Sequence, residues 1–180
     1  MNSSATITLG ADGSAAVMTG NPDIGGTRLA QAVMVSKEGR IPVQQVPPSV
    51  GDTDSAGYTD VTGGSRVCYA TGMAVIQAAQ DVRSQLMSRA PKMWNVSPDA
   101  VEWKDGRAIP PAGTEKAQPL TVAEIAAKMP QTGGPIVGRA SLNAPMAGPG
   151  FGAHICDIEV DPETGRSRIV RYTAFQDVGK

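Results

Sequence analysis

Three stretches of the chain alternate apolar and polar residues on either side of a short glycine-containing turn. Ile7 and Leu9 precede, and Ala16-Val17-Met18 follow, the turn Ala11-Asp12-Gly13. Val101-Glu102-Trp103 and Arg107-Ala108-Ile109 flank Lys104-Asp105-Gly106. Residues 155–160 and 167–175 flank Asp161-Pro162-Glu163-Thr164-Gly165. A two-residue period marks a strand, and an Asp-Gly pair supplies the positive φ that a tight turn needs. Three antiparallel hairpins are therefore expected.

Between the hairpins the period changes to that of a helix. A short helix is expected over residues 27–38, with Leu29, Ala32, Val33 and Ser36 facing inward and Gly39 ending it. The longest is expected over residues 65–89, with Ser65 near its cap. Its inner stripe is Cys68, Gly72, Val75, Ala79, Val82 and Leu86, spaced by fours and threes. Gly72 costs about 1 kcal/mol relative to Ala in a helix, which points to a close approach by another backbone. Thr121 and Glu124 form a capping-box pattern, with Leu120 and Ile125 placed to staple it, and the helix ends by Pro130. Residues 41–50 read as a strand, and Pro47-Pro48 puts it at an edge or bulge. Residues 143–150 read as a loop. Hairpins with helices between them indicate an α+β fold of mixed sheets with one long packed helix. No regular βαβ series supports a dinucleotide-binding sheet. The chain can form one partial domain over 1–180 or divide into sub-lobes of about 1–92 and 93–180. It starts almost at once in strand-like sequence and stops at Asp177-Val178-Gly179-Lys180, directly after another such run. A fragment of a larger protein is therefore expected.

Composition narrows the class. Hydrophobic residues make up 41% and aromatics only 4%, so the core must be built from Val, Ile, Ala and Met. The 21 glycines and 14 prolines imply many turns. A net charge of -1 with no basic block argues against nucleic acid or an anionic membrane as partner. No apolar run is long enough to span a bilayer, and the first residues lack the basic and apolar regions of a signal peptide, so a cytoplasmic location is expected. Cys68 and Cys156 follow no metal-ligand spacing and are expected to be buried free thiols. His154 is the only histidine. Asp157 would point to the opposite strand face from Cys156, so no nucleophilic triad forms. Asp52, Asp54 and Asp60 miss the spacing of a calcium loop. Trp94 and Trp103 are read as packing residues. No catalytic set and no protein metal ligands emerge.

Two polar, glycine-rich loops remain. Residues 20–28, with Gly25, Gly26, Thr27 and Arg28, run into the first helix. Residues 51–66, with Gly63, Gly64, Ser65 and Arg66, run into the second. Free N–H groups at a helix start favour an anion. The first loop alone reads better as a plain strand-to-helix turn, since it matches no phosphate-loop or dinucleotide pattern. As a pair, the two could clasp one long anionic ligand.

The order of these motifs resembles the large, molybdopterin-binding subunit of molybdenum hydroxylases of the xanthine dehydrogenase/aldehyde oxidase type. It runs Thr19-Gly20, Pro22-Asp23-Ile24-Gly25-Gly26-Thr27-Arg28, Val50-Gly51-Asp52-Thr53-Asp54, Thr62-Gly63-Gly64-Ser65-Arg66, Gly152 to Asp161, Thr164-Gly165 and Phe175-Gln176-Asp177-Val178-Gly179. The Gly-Asp-Thr-Asp and Gly-Ser-Arg elements are similar to the bacterial branch. The resemblance implies a parent oxidoreductase that hydroxylates aldehydes or N-heterocycles with water. Its molybdopterin, in some members extended by a cytosine nucleotide, would be held by Gly25, Gly26, Thr27, Arg28, Gly63, Gly64, Ser65 and Arg66. Iron–sulfur and flavin partners are also implied. Many members carry Gly-Gln-Gly in the first loop, so Gly26 stands where a glutamine would contact a metal oxygen. The isolated chain is expected to be inactive, to hold no cofactor and to self-associate. The alternatives are a non-catalytic pterin- or nucleotide-binding module and a purely structural one.

Overall fold

The computed structural model describes residues 1–114, 117–146, 148 and 150–177. Val178 and Gly179 of the last motif lie outside them. Two compact units are present, Met1–Ala147 and Gly148–Lys180. Residues on both sides of position 92 share one core, in which Leu86 and Ala90 join Ile125, Ala126 and Ile136, so the boundary between units falls far from that position.

The first unit is built on a four-stranded sheet. β1 (Asn2–Leu9) and β2 (Ala15–Thr19) form the expected hairpin. β3 (Pro48–Val50) pairs parallel to β2 at one edge. Its prolines suit that place, because an edge strand needs only one row of N–H donors. The rest of the expected 41–50 strand is instead a 3-10 turn, Val43–Gln45. α1 (Thr27–Gly39) and α2 (Gly72–Trp94) pack side by side, α2 lying across the sheet. β4 (Glu102–Lys104), β5 (Arg107–Ile109) and the two-residue β6 (Leu120–Thr121) form a small second sheet. Asp105 and Gly106 both take positive φ at its hairpin turn, as the sequence requires. The capping box of α3 (Val122–Ala126) forms with both reciprocal hydrogen bonds, and a single turn, α4 (Met129–Thr132), follows.

A strand without a counterpart in the sequence pattern, β7 (Val137–Asn143), pairs antiparallel with β1 at the other edge of the main sheet. Its alternation is weak because two of its three inward positions, Gly138 and Ala140, are small, and only Leu142 is large. A Cβ on Gly138 would lie 2.1 Å from the Ala78 carbonyl oxygen, so glycine is what lets α2 and β7 meet backbone to backbone. At Gly72, where such an approach was expected, the neighbour is the Met34 side chain.

Two helix faces also differ from expectation. α1 buries Arg28, Gln31, Ala32 and Val35, while Leu29 is 64% exposed and Val33 is also exposed. The apolar spacing of Leu29 and Val33 was taken for a core stripe, but polar Arg28 and Gln31 point inward to bind loop carbonyls and side chains. In α2, Val75, Ala79, Val82 and Leu86 are buried as expected. The helix runs past Arg89, through Pro91, to Trp94. Cys68 is exposed, not buried. The turn before α2, Val67–Thr71, is π-helical, with the Gly72 N–H donating to the Val67 carbonyl. Its extra residue per turn rotates Cys68 off the stripe that a regular helix would continue. Cys156 is exposed too, because it lies on a hairpin with no second layer over it.

The second unit is that hairpin, β8 (Phe151–Val160) and β9 (Ser167–Asp177), with a bulge beside Asp157/Ile158. No helix among the described residues is long and apolar enough to cross a membrane.

Candidate functional site

Both glycine-rich loops are pinned to the start of β1 and to each other by buried polar side chains. Asn21 is at the centre. Its Nδ2 donates to Thr62 Oγ1 (2.8 Å), its Oδ1 accepts from Thr71 Oγ1 (2.8 Å), and its carbonyl accepts from the Arg28 guanidinium (2.9 Å). Thr71 Oγ1 lies 3.3 Å from Ser3 Oγ. The first loop, the second loop, the π-helical turn and β1 thus share one network. A buried hydrogen-bonded network of this kind fixes the geometry of the segments it joins.

The two arginines belong to this scaffold. Arg66 is 2% exposed. It donates to the carbonyls of Asp60 (2.9 Å), Val61 (3.2 Å) and Asn2 (2.8 Å) and to Ser3 Oγ. Arg28, 8% exposed, donates to the carbonyls of Ser49 and Asn21. Each guanidinium commits both terminal nitrogens to distant segments, while its buried Nε has no hydrogen-bond partner among the described residues. Asp60 extends the clamp, since its carboxylate accepts from the Asn2 N–H (2.6 Å) and the Tyr58 hydroxyl (3.0 Å). These bonds, the Asn2 amide first, hold the Asp60 carboxyl below its ordinary range, and the same carboxylate pushes the Tyr58 phenol up.

What the scaffold presents is a cavity of about 440 Å³ lined from both loops. Ile24, Gly25 and Thr27 come from the first, and Thr62 through Cys68 from the second and the turn after it. Of the eight sequence-predicted residues, Gly25, Thr27, Gly63, Gly64, Ser65 and Arg66 line it. Gly26 sits beside it as the N-cap of α1, and Arg28 is behind the wall. Gly25, Gly26 and Gly64 have positive φ, and a Cβ on any of them would meet nothing within 4 Å. Ser65 also has a positive φ of 58°, a conformation that costs a non-glycine residue about 1–2 kcal/mol. It therefore does not cap the helix, as had been expected; the cap position falls to Arg66, without a side-chain bond.

Among the described residues, no acidic side chain lines the cavity. Asp23 sits at the start of α1, with one oxygen accepting from Thr27 Oγ1 and the Arg28 N–H (3.2 Å each). The second loop, by contrast, offers bare backbone at Gly64 and Ser65, which suits an anion. The glycines were legible in the sequence. The Asn21–Thr62–Thr71–Ser3 network and Cys68 were not, because nothing in local spacing relates residues so far apart.

Other candidates stay apart from this cavity. Asp52 closes its own turn, accepting from the Asp54 N–H (3.2 Å). His154 is exposed on the hairpin, with Nδ1 2.9 Å from the Tyr172 hydroxyl. Trp94 and Trp103 pack against the core. No cluster of three or more His, Cys, Asp or Glu able to hold a metal occurs among the described residues.

The family described as the molybdopterin cofactor-binding domain matches residues 1–180. The carbon monoxide dehydrogenase large chain of Afipia carboxidovorans is 28% identical over 185 residues, covering 99% of this chain and 23% of its own. A crystal structure of Cu,Mo-CO dehydrogenase superposes with a TM-score of 0.85 at 27% identity, over 98% of this chain and 23% of that one. Quinoline 2-oxidoreductase from Pseudomonas putida 86 shares the fold, with a TM-score of 0.78 at 20% identity, over 99% of this chain and 23% of that one. The chain thus spans under a quarter of the length of the relatives it matches.

Proposed function

Because this chain belongs to the molybdopterin cofactor-binding domain family, we propose that it forms one wall of the cofactor site in a molybdenum-containing oxidoreductase. The observation that carries this reading is the single cavity shared by two glycine-rich loops about 40 residues apart in sequence. The cofactor, when bound, supplies a two-electron redox centre. The chain's own task is to bind and orient it. Amides at Gly25–Thr27, Gly64 and Ser65 offer donors to pterin and phosphate oxygens, and the Ser65 hydroxyl adds another, while the Gly63 N–H and the Thr27 hydroxyl are held by Val61 and Asp23. Arg28 and Arg66 keep both loops at a fixed separation, and their buried charge favours an anion nearby. With glycine at position 26, no side chain reaches from there toward a metal oxygen, and the chain leaves that contact to another segment.

The cytosine-nucleotide form of the cofactor is the one we assign, from the likeness of the Gly-Asp-Thr-Asp and Gly-Ser-Arg elements to the bacterial branch. For the whole protein, hydroxylation of an aldehyde or N-heterocycle is the first reading, with iron–sulfur and flavin partners to remove electrons. Oxidation of carbon monoxide is the second, favoured by the activity named for the relatives that match nearly the whole chain. Two free thiols suit a reducing compartment, the cytoplasm.

Gly64→Asp and Gly64→Asn, made in the complete gene product, test the reading. Both side chains tolerate positive φ, but only aspartate adds charge to the cleft. Like charges in contact cost several kcal/mol, so Gly64→Asp is expected to lower the molybdenum and pterin content at least about tenfold, with Gly64→Asn near wild type. Equal content in both variants would remove the cofactor from this cleft and leave a structural module as the better reading.

A further inference from the structure

Half of the large apolar side chains left exposed among the described residues lie on the hairpin β8–β9. They are not confined to one side. Directly paired residues share a face, and faces alternate along a strand. Phe151, Ile155 and Phe175, opposite Ala153, therefore lie on one face, and Ile158, paired with Ile169, lies with Val160 and Tyr172 on the other. Phe151 is 71% and Ile169 is 63% exposed. The first face carries charge toward the turn, as the pairs Asp157–Arg171 (2.9 Å) and Glu159–Arg168 (2.6 Å), and at the opposite end in Asp177, which pairs with Phe151. Among the described residues each of these strands pairs only with the other.

A lone two-stranded hairpin is marginal in water, and strands apolar on both faces occur where both faces are covered. One symmetric contact with a second copy would cover one face and leave the other. The relatives that match this chain are more than four times as long as the stretch it covers, which is polypeptide enough for two further layers. We propose that the hairpin is an interior layer of a larger fold, covered on both faces by polypeptide of the same protein outside residues 1–180. This does not depend on the cofactor assignment, since it rests on the hairpin's own pairing and side chains.

Hydrogen exchange of the dilute 180-residue chain and of the complete gene product tests it. In the 180-residue chain, amides of 151–177 are expected to exchange within seconds while β1 and α2 stay protected. In the complete product the same amides should slow at least a hundredfold. Protection of the hairpin in the dilute 180-residue chain, or its absence in the complete product, would overturn the proposal. So would protection in the complete product that vanishes on dilution, which would put a second copy there. Two substitutions in the complete product, Ile155→Glu and Ile158→Glu, read one face each and do not need the short chain to fold. Both should lower the melting temperature by several degrees, and an unchanged melting temperature for either would show that its face is open to water.

Discussion

Arg66 shows how far a residue's type can mislead about its role. A Gly-Gly-Ser-Arg run beside a helix start suggests a cation facing an anion, yet the guanidinium is spent on three carbonyls and the Ser3 hydroxyl. Hydrogen bonds to a buried charged donor are worth about 1.5–3 kcal/mol each, and stranding the acceptors adds to the loss. Arg66→Met is therefore expected to destabilise the fold by about 3 kcal/mol or more, read as a lower urea midpoint. Arg66→Lys should recover little of it, because one ammonium cannot copy a planar fork of donors. Full stability in either variant would show that the network holds nothing together. Asp60 carries a pH signature. Its carboxyl is held below the ordinary range, chiefly by the Asn2 amide. A depressed carboxylate stabilises the fold above its unfolded pKa, about 3.9, and that contribution is lost as pH falls through the lower folded value. Asp60→Asn should thus flatten part of the acid limb of the stability profile below about pH 4, and an unchanged acid limb would show that the carboxylate adds nothing.

Among the elements, α2 and β7 make the tightest contact, and it passes through Gly138. A Cβ there would strike the Ala78 carbonyl oxygen, which is backbone and cannot swing aside. Gly138→Val is expected to cost about 2–3 kcal/mol, in the range of overpacked cores, while changes at exposed Leu29 should cost far less. Urea unfolding of the two variants side by side gives the comparison, and a tolerated valine would mean the sheet and helix are looser than described. The three hairpins, the capping box and the buried stripe of α2 were legible because each rests on contacts within a few residues. β7 was not, since Gly138 and Ala140, two of its three inward positions, are small and leave Leu142 as a lone apolar signal. The π-helical turn was invisible for another reason. A single extra residue in a turn leaves no mark on composition but re-aims everything before it, which is why Cys68 lines the cleft. The inner face of α1 was misread because Arg28 and Gln31 are buried for their hydrogen bonds, which a hydrophobic period cannot register.

At the scale of the whole molecule, apolar surface is concentrated on the hairpin and around the cleft, where Ile24, Tyr58 and Val61 are exposed. Monomers rarely leave such patches open, so the 180-residue chain alone should self-associate at high concentration; light scattering that shows a monomer throughout would contradict this. It should also hold no molybdenum, having only one wall of the site. The wall itself is the central claim: two loops, fixed by one buried network, act as a single anion-binding surface. Titrating the isotopically labelled 180-residue chain with pyrophosphate, while following backbone amides by NMR, tests it most directly. The expected result is that the amides of Gly25, Gly26, Gly63, Gly64 and Ser65 shift together and saturate with one shared, millimolar dissociation constant. Separate midpoints for the two loops, or shifts confined to other parts of the chain, would show that the loops are neighbours without being a site.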